Sequence, residues 1–76
     1  MRNVLIAIGN SGAPSLVPDA VARLDDESPL VRGTAVWAAG ELLNQDEFAK
    51  LAAEKFSEES DEGVRAEWSA ALTASR

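Results

Sequence analysis

Two arginines that recur at a fixed spacing are the side chains of this 76-residue sequence best suited to bind an anion. Val31-Arg32 returns as Val64-Arg65, 33 residues later, and an acidic cluster precedes each pair. An exposed guanidinium contacts nucleic-acid phosphates, whereas one beside carboxylates forms an ion pair between repeats, here with the loop before its own helix. We expect the ion pair at Arg65. At Arg32 both interpretations stay open.

The other polar side chains do not form a pattern that suits catalysis. The sequence has no Cys and no His, which excludes thiol and imidazole chemistry, disulfides, cysteine-ligated clusters and the usual structural zinc sites. Carboxylate pairs such as Glu58-Glu59 and Asp61-Glu62 are common, but they lie in turn segments. General acid–base catalysis needs carboxyls of shifted pKa in a cleft. We therefore expect this chain to hold no cofactor and to be no enzyme by itself.

Two further patterns could contact nucleic acid, and each also has a structural explanation. Gly9-Asn10-Ser11-Gly12 has the spacing of loops that clamp a nucleic-acid backbone, but it lacks the basic residues and the flanking sheet of that fold. A helix end with Gly9 or Asn10 in the left-handed conformation explains it without a ligand. Trp37 and Trp68 could stack on unpaired bases. Because both lie among Ala and Val at core spacing, we expect both to be buried.

The sequence predicts that helices position the residues described above. Between the turn segments, apolar side chains recur with the spacing of an amphipathic helix. Ser28-Pro29 is typical of a helix start, with serine as the N-cap and proline in the first turn. Residues 31–43 are apolar on nearly every side, which predicts a central helix buried between neighbours. Gly33 and Gly40 weaken that helix, which suggests that a neighbour approaches it closely.

Two more helices are predicted toward the end of the chain. Asn44 and Glu47 have the spacing of a capping box, so a helix is expected to begin there. A final helix with its apolar residues, including Trp68, on one face is expected after a cap at Ser60 or Asp61.

An internal repeat decides the state of the first apolar segment, Val4 to Ile8, which by itself is compatible with a strand or a helix. Residues 4–9 align with residues 35–40 at an offset of 31. A period in the low thirties with two helices per unit is typical of a helical solenoid. The sequence therefore predicts that this segment is a helix, in an all-α solenoid of four to five helices.

The charge is acidic and uneven. Thirteen Asp and Glu against seven Lys and Arg give a net charge of −6, of which residues 1–40 carry −1 and residues 41–76 carry −5. The longest apolar run is far shorter than the ~20 residues that span a bilayer. We expect a cytoplasmic protein without a membrane partner, in which only the first half could approach nucleic acid.

Two stretches together resemble a known family. Residues 25–40, DDESPLVRGTAVWAAG, are similar to the HEAT-like repeats first noted in phycobilisome lyases. Joined to residues 2–12, RNVLIAIGNSG, they resemble the C-terminal HEAT-like region of epoxyqueuosine reductase. The resemblance covers residues 2–43, and residues 44–76 match only as a generic helical repeat.

The resemblance implies one HEAT-like domain over residues 1–76, expected to be a C-terminal fragment of a longer protein. In that family the parent enzyme carries [4Fe-4S] clusters and cobalamin upstream and completes queuosine in tRNA, so this chain would help to position tRNA. Arg2, Asn3 and Arg32 are then the candidate nucleic-acid contacts. The apolar face of residues 2–9 is expected to pack on the parent's catalytic domains or on a second copy. The alternative is a protein–protein interaction scaffold.

Overall fold

The computed structural model describes residues 1–73, and it arranges them as five α-helices. These are α1 (Arg2–Ser11), α2 (Val17–Ala22), α3 (Pro29–Leu42), α4 (Gln45–Lys55) and α5 (Glu62–Thr73). Short 3₁₀ turns at Pro14–Leu16 and Arg23–Asp25 lie directly before and after α2, and a third at Phe56–Glu58 follows α4. The described residues contain no strand. The predicted all-α fold is confirmed, including a helix over Val4 to Ile8.

The helices form two layers around α3. α3 packs against α1 on one side and against α5 on the other, while α2 and α4 pack behind this row. Position 33 of α3 faces Glu67 of α5 and position 40 faces Ala71, so the two helices run in the same direction. Among the described residues, no helix is both long and apolar enough to cross a bilayer.

The helix starts follow the predicted caps. The Ser28 hydroxyl accepts a hydrogen bond from the Val31 backbone N–H, and Pro29 occupies the first helical position. The side chain of Asn44 and that of Glu47 each accept from the other residue's backbone N–H, which completes the capping box. Before α5, the Asp61 carboxylate accepts from the Val64 N–H at 3.0 Å. These caps satisfy backbone donors that a helix start leaves without intrahelical partners.

The core is one cluster of buried apolar side chains drawn from all five helices. Trp68 is fully buried and lies beside Phe48, with 5.3 Å between the ring centroids. Trp37 differs, because it is only partly buried and its ring lies at the edge of the cluster, between α1 and the outer surface. The prediction that both tryptophans are buried is therefore confirmed for Trp68 and wrong for Trp37.

The residue that ends α1 is neither of the two predicted, Gly9 and Asn10. Gly12 adopts the left-handed conformation with φ 67°, whereas Gly9 and Asn10 lie inside the helix. The Ser11 hydroxyl donates to the Ile8 carbonyl oxygen and accepts from the Ala13 N–H, so it closes this end. Gly9 has a packing role instead, since a Cβ there would lie 2.8 Å from Cη2 of Trp37.

Two apolar side chains are exposed at the start of α1, that of Met1 directly before the helix and that of Val4 within it. Met1 is 50% exposed and Val4 is 54% exposed. The prediction that the apolar face of residues 2–9 packs on further domains or on a second copy concerns these residues, and it stays a prediction.

Gly9→Ala and its repeat counterpart Gly40→Ala should change stability in opposite directions. At Gly9 the added Cβ meets the Trp37 ring, so overpacking should lower the free energy of unfolding by about 1–3 kcal/mol. At Gly40 the Cβ would lie 3.6 Å from Ala71 and Phe48, an ordinary contact. There the better helix propensity of alanine should raise stability by up to about 1 kcal/mol. Urea denaturation measures both changes, and equal stability of the two variants would contradict the close packing of Trp37 on α1.

Candidate functional site

A surface groove of about 710 Å³ runs across α1, α3 and α5. We call it the α1–α3–α5 groove. Its apolar lining includes Ile6 from α1 and Leu30 and Trp37 from α3. Leu30 is 62% exposed, the largest exposed fraction among the large apolar side chains described. Because Leu30 and Trp37 are seven positions apart, which is about two helical turns, both side chains lie on the same face of α3.

Small residues line the α1–α3–α5 groove on both α3 and α5. Gly33 and Thr34 of α3 and Gly63 of α5 line it. A side chain at position 33 would extend from α3 toward Glu67, whose Cγ lies 3.5 Å from the Cβ position. Glycine at position 33 therefore allows the Glu67 side chain to lie close to α3.

The charged side chains of the groove differ between its two edges. Arg2 lies on the α1 edge, and Asp61 and Glu67 lie on the α5 edge. Asp61 is engaged as the cap of α5. Glu67 is exposed and has no ion-pair partner within residues 1–73.

Arg32 lies outside this groove, in an ion pair that joins two repeats. Its Nε and Nη2 donate to the two carboxylate oxygens of Glu59 at 2.8 and 2.9 Å. Its Nη1 donates to the backbone oxygens of Asp26 and Glu27 at 2.8 and 3.0 Å. The ion-pair interpretation is thus confirmed with one correction. The carboxylate comes from the loop before α5, whereas the loop before α3 supplies only carbonyl oxygens.

The Arg32–Glu59 pair shifts the pKa of each side chain in the direction that favours its charged form. The hydrogen bond from Arg32 holds the pKa of the Glu59 carboxyl below its usual range, although burial acts the other way. The Asp61 backbone N–H also donates to this carboxylate. The same hydrogen bond to Glu59 raises the pKa of the Arg32 guanidinium. A general acid needs a raised carboxyl pKa, so Glu59 does not have the properties of one.

The predicted ion pair at Arg65 is wrong within the described residues. The Nη1 of Arg65 donates to the carbonyl oxygens of Phe56 and Glu59 at 3.1 and 2.9 Å. Its guanidinium lies over the Phe56 ring, 4.1 Å from the centroid, as a cation–π contact. Of the acids near Arg65 in sequence, Asp61 caps α5 and Glu59 is already paired with Arg32.

The three predicted nucleic-acid contacts lie at different places. Arg2 and Asn3 are exposed in the first turn of α1, and Arg2 lines the α1–α3–α5 groove. Arg32 lines a separate polar cavity of about 270 Å³, beside Glu58 and Glu59. The role of these three residues in nucleic-acid binding stays a prediction.

Carboxylates lie close to half of the described cations. Of the six Lys and Arg side chains in residues 1–73, three lie within 4.0 Å of a carboxylate: Arg23 with Asp26, Arg32 with Glu59, and Lys55 with Asp25. No group of three or more acidic, Cys or His side chains within residues 1–73 could hold a metal ion.

The two-layered stack of short helices and its open groove are typical of a helical-repeat protein. The chain belongs to the HEAT repeat family, whose model matches residues 2–73. It is similar to a protein of Geobacillus stearothermophilus named "Uncharacterized protein in gldA 3'region", with 33% identity over 67 residues. That match covers 87% of this chain and 31% of the relative, so the chain spans about a third of the relative's length. No solved structure matches the chain.

Glu59→Gln should make the chain less stable at pH 7 and less sensitive to acid. Because the pKa of Glu59 is lowered in the folded state, its contribution is fully present above its unfolded value, about 4.3. The contribution is lost as the pH falls through the lower folded value.

Urea denaturation between about pH 7 and pH 3 measures this difference. The wild type should lose more stability than Glu59→Gln below about pH 4.5. Glu58→Gln, at an exposed neighbour, is the control and should follow the wild type. Parallel pH curves for wild type and Glu59→Gln would contradict the role of the pair.

Proposed function

We propose that this chain is a non-catalytic helical-repeat module that binds another protein through the α1–α3–α5 groove. The observation that carries the proposal is the exposure of apolar side chains in that groove, above all Leu30 at 62%. Exposed apolar patches rimmed by polar residues are typical of protein interaction sites. Helical-repeat proteins commonly use such extended surfaces to bind their partners.

The shape of the groove supports a protein partner over a small molecule. Small-molecule sites bury most of the ligand surface in a cleft. Here the lining spans three helices, and Leu30 and Arg2 are exposed at its edge. A surface of this kind covers one side of a ligand, as an interface between proteins does.

The charge of the chain supports a protein partner over nucleic acid. The net charge is −6, and the acidic side chains of the groove outnumber Arg2. Nucleic-acid affinity depends on the number of phosphates that Lys and Arg neutralise. The Arg32 guanidinium would have to leave Glu59 before it could contact a phosphate.

Selection from a displayed random-peptide library tests the proposed binding site. Peptides enriched on the wild-type chain should bind Leu30→Asp at least tenfold more weakly, because a carboxylate would then lie in the apolar groove. Val4→Asp is the matched control, since Val4 is 54% exposed on α1 and lies outside the groove lining. Circular dichroism checks that both variants fold.

Peptides that lose as much affinity with Val4→Asp as with Leu30→Asp would contradict the groove as the binding site. Failure to enrich any peptide that depends on Leu30 would do the same.

A second and more specific proposal follows from the resemblance of residues 2–12 and 25–40 to epoxyqueuosine reductase. In it, the chain is a cytoplasmic accessory module that positions tRNA for a parent oxidoreductase. The [4Fe-4S] clusters and cobalamin would belong to the parent's other domains, because this sequence has no Cys. Support within the chain comes from Arg2 and Asn3, which are exposed together on α1.

Arg2→Glu in such a parent protein should weaken tRNA binding and reduce the slope of its salt dependence by about 1 per lost phosphate contact. The measurement is a salt titration of tRNA affinity. Lys50→Glu on α4 makes the same charge change at an exposed site away from Arg2, and it should leave the slope unchanged. Equal effects of the two variants, or none, would contradict the tRNA role. Arg32→Glu tests this less well, because it also breaks the pair with Glu59.

A further inference from the structure

The α1–α3–α5 groove follows the surface of α3, with residues of α1 and α5 on either side. Its volume is about 710 Å³, and its α3 lining extends over about two helical turns, from Pro29 to Trp37. A partner helix would therefore lie along the surface of α3, with one of its faces against the groove.

The spacing of the apolar groups also matches a helix. Leu30 and Trp37 are two turns apart on α3, a distance of about 10 Å. An amphipathic helix that lies in a groove uses apolar side chains at positions i, i+3 or i+4, and i+7, which cover the same length. Gly33 lies between Leu30 and Trp37, so α3 itself presents no side chain at this position, where the middle apolar side chain of such a helix would approach.

The charges of the groove determine the second property of the partner. Glu67 is exposed on the α5 edge without an ion-pair partner in the described part of the chain, and Asp61 lies on the same edge. Charge complementarity across an interface sets specificity and the association rate. A second copy of this chain is a poor match, because it brings the same net charge of −6.

We propose that the occupant of the α1–α3–α5 groove is a basic amphipathic α-helix of a partner protein. Its apolar face contacts Leu30, Trp37 and Ile6, and its Lys or Arg side chains face Glu67 on α5. This inference rests on the proposed function, since it names the chemistry of the partner that the groove binds.

Synthetic peptides test the inference directly. The probe is a 14-residue helical peptide with Leu at positions i, i+4 and i+7 and Lys at the exposed positions. A matched peptide carries Glu in place of Lys, and a third carries a central Pro that prevents helix formation. Fluorescence anisotropy of labelled peptides measures affinity for the chain at low and at high salt.

The basic peptide should bind at least tenfold more tightly than the acidic peptide or the proline peptide. Glu67→Lys should weaken it about fivefold or more. Glu54→Lys is the matched control, because Glu54 is an exposed acid of α4 outside the groove and the change in net charge is the same. Leu30→Asp should abolish binding of the basic peptide, and Val4→Asp should preserve it.

Each contrary result has a distinct meaning. Equal losses with Glu67→Lys and Glu54→Lys would show general attraction to an acidic protein and overturn the inference. Binding that needs Leu30 but is equal for the basic and acidic peptides would also overturn it, while the proposed function would stand. Concentration-dependent association of the chain alone, abolished by Leu30→Asp, would assign the groove to a second copy and overturn the inference as well.

Discussion

The fold depends on the need to cover α3. Ala35, Val36, Ala38 and Ala39 are almost consecutive, and all four are completely buried. Because side chains at these positions point in different directions around the helix axis, one neighbour cannot cover them all. Burial of apolar surface is favourable by roughly 25 cal/mol per Å², so α1, α2 and α5 must all pack around α3. The two-layered arrangement follows from this requirement.

Features whose partners are close in sequence could be predicted from it. Each confirmed cap joins a side chain to a backbone N–H three residues later, as at Ser28, Asn44 and Asp61. The helical period and the offsets of 31 and 33 residues identified the repeat, because they are properties of the residue order itself. The existence, order and type of the helices were therefore predictable.

Features that depend on distant residues could not be predicted in detail. The carboxylate that pairs with Arg32 is 27 residues away, although Asp25, Asp26 and Glu27 lie much nearer to it in sequence. Gly9 or Asn10 was expected to end α1, and only the position of the Trp37 ring shows why Gly9 lies inside the helix and Gly12 ends it. The groove was missed for a similar reason. The apolar character of α3 was evident, but the sequence did not show that its neighbours leave Leu30 uncovered.

The origin of the groove from three successive repeats has a thermodynamic consequence. In repeat proteins, stability is approximately a sum of terms for each repeat and for each interface between neighbours. The groove exists only when both interfaces of α3, with α1 and with α5, are intact. A ligand that binds the folded chain but not the unfolded chain adds RT ln(1 + [L]/Kd) to the free energy of unfolding. A bound ligand thus stabilises the α1–α3 and the α3–α5 interfaces together. It therefore couples the folding of α1 to that of α5, although α3 separates the two helices.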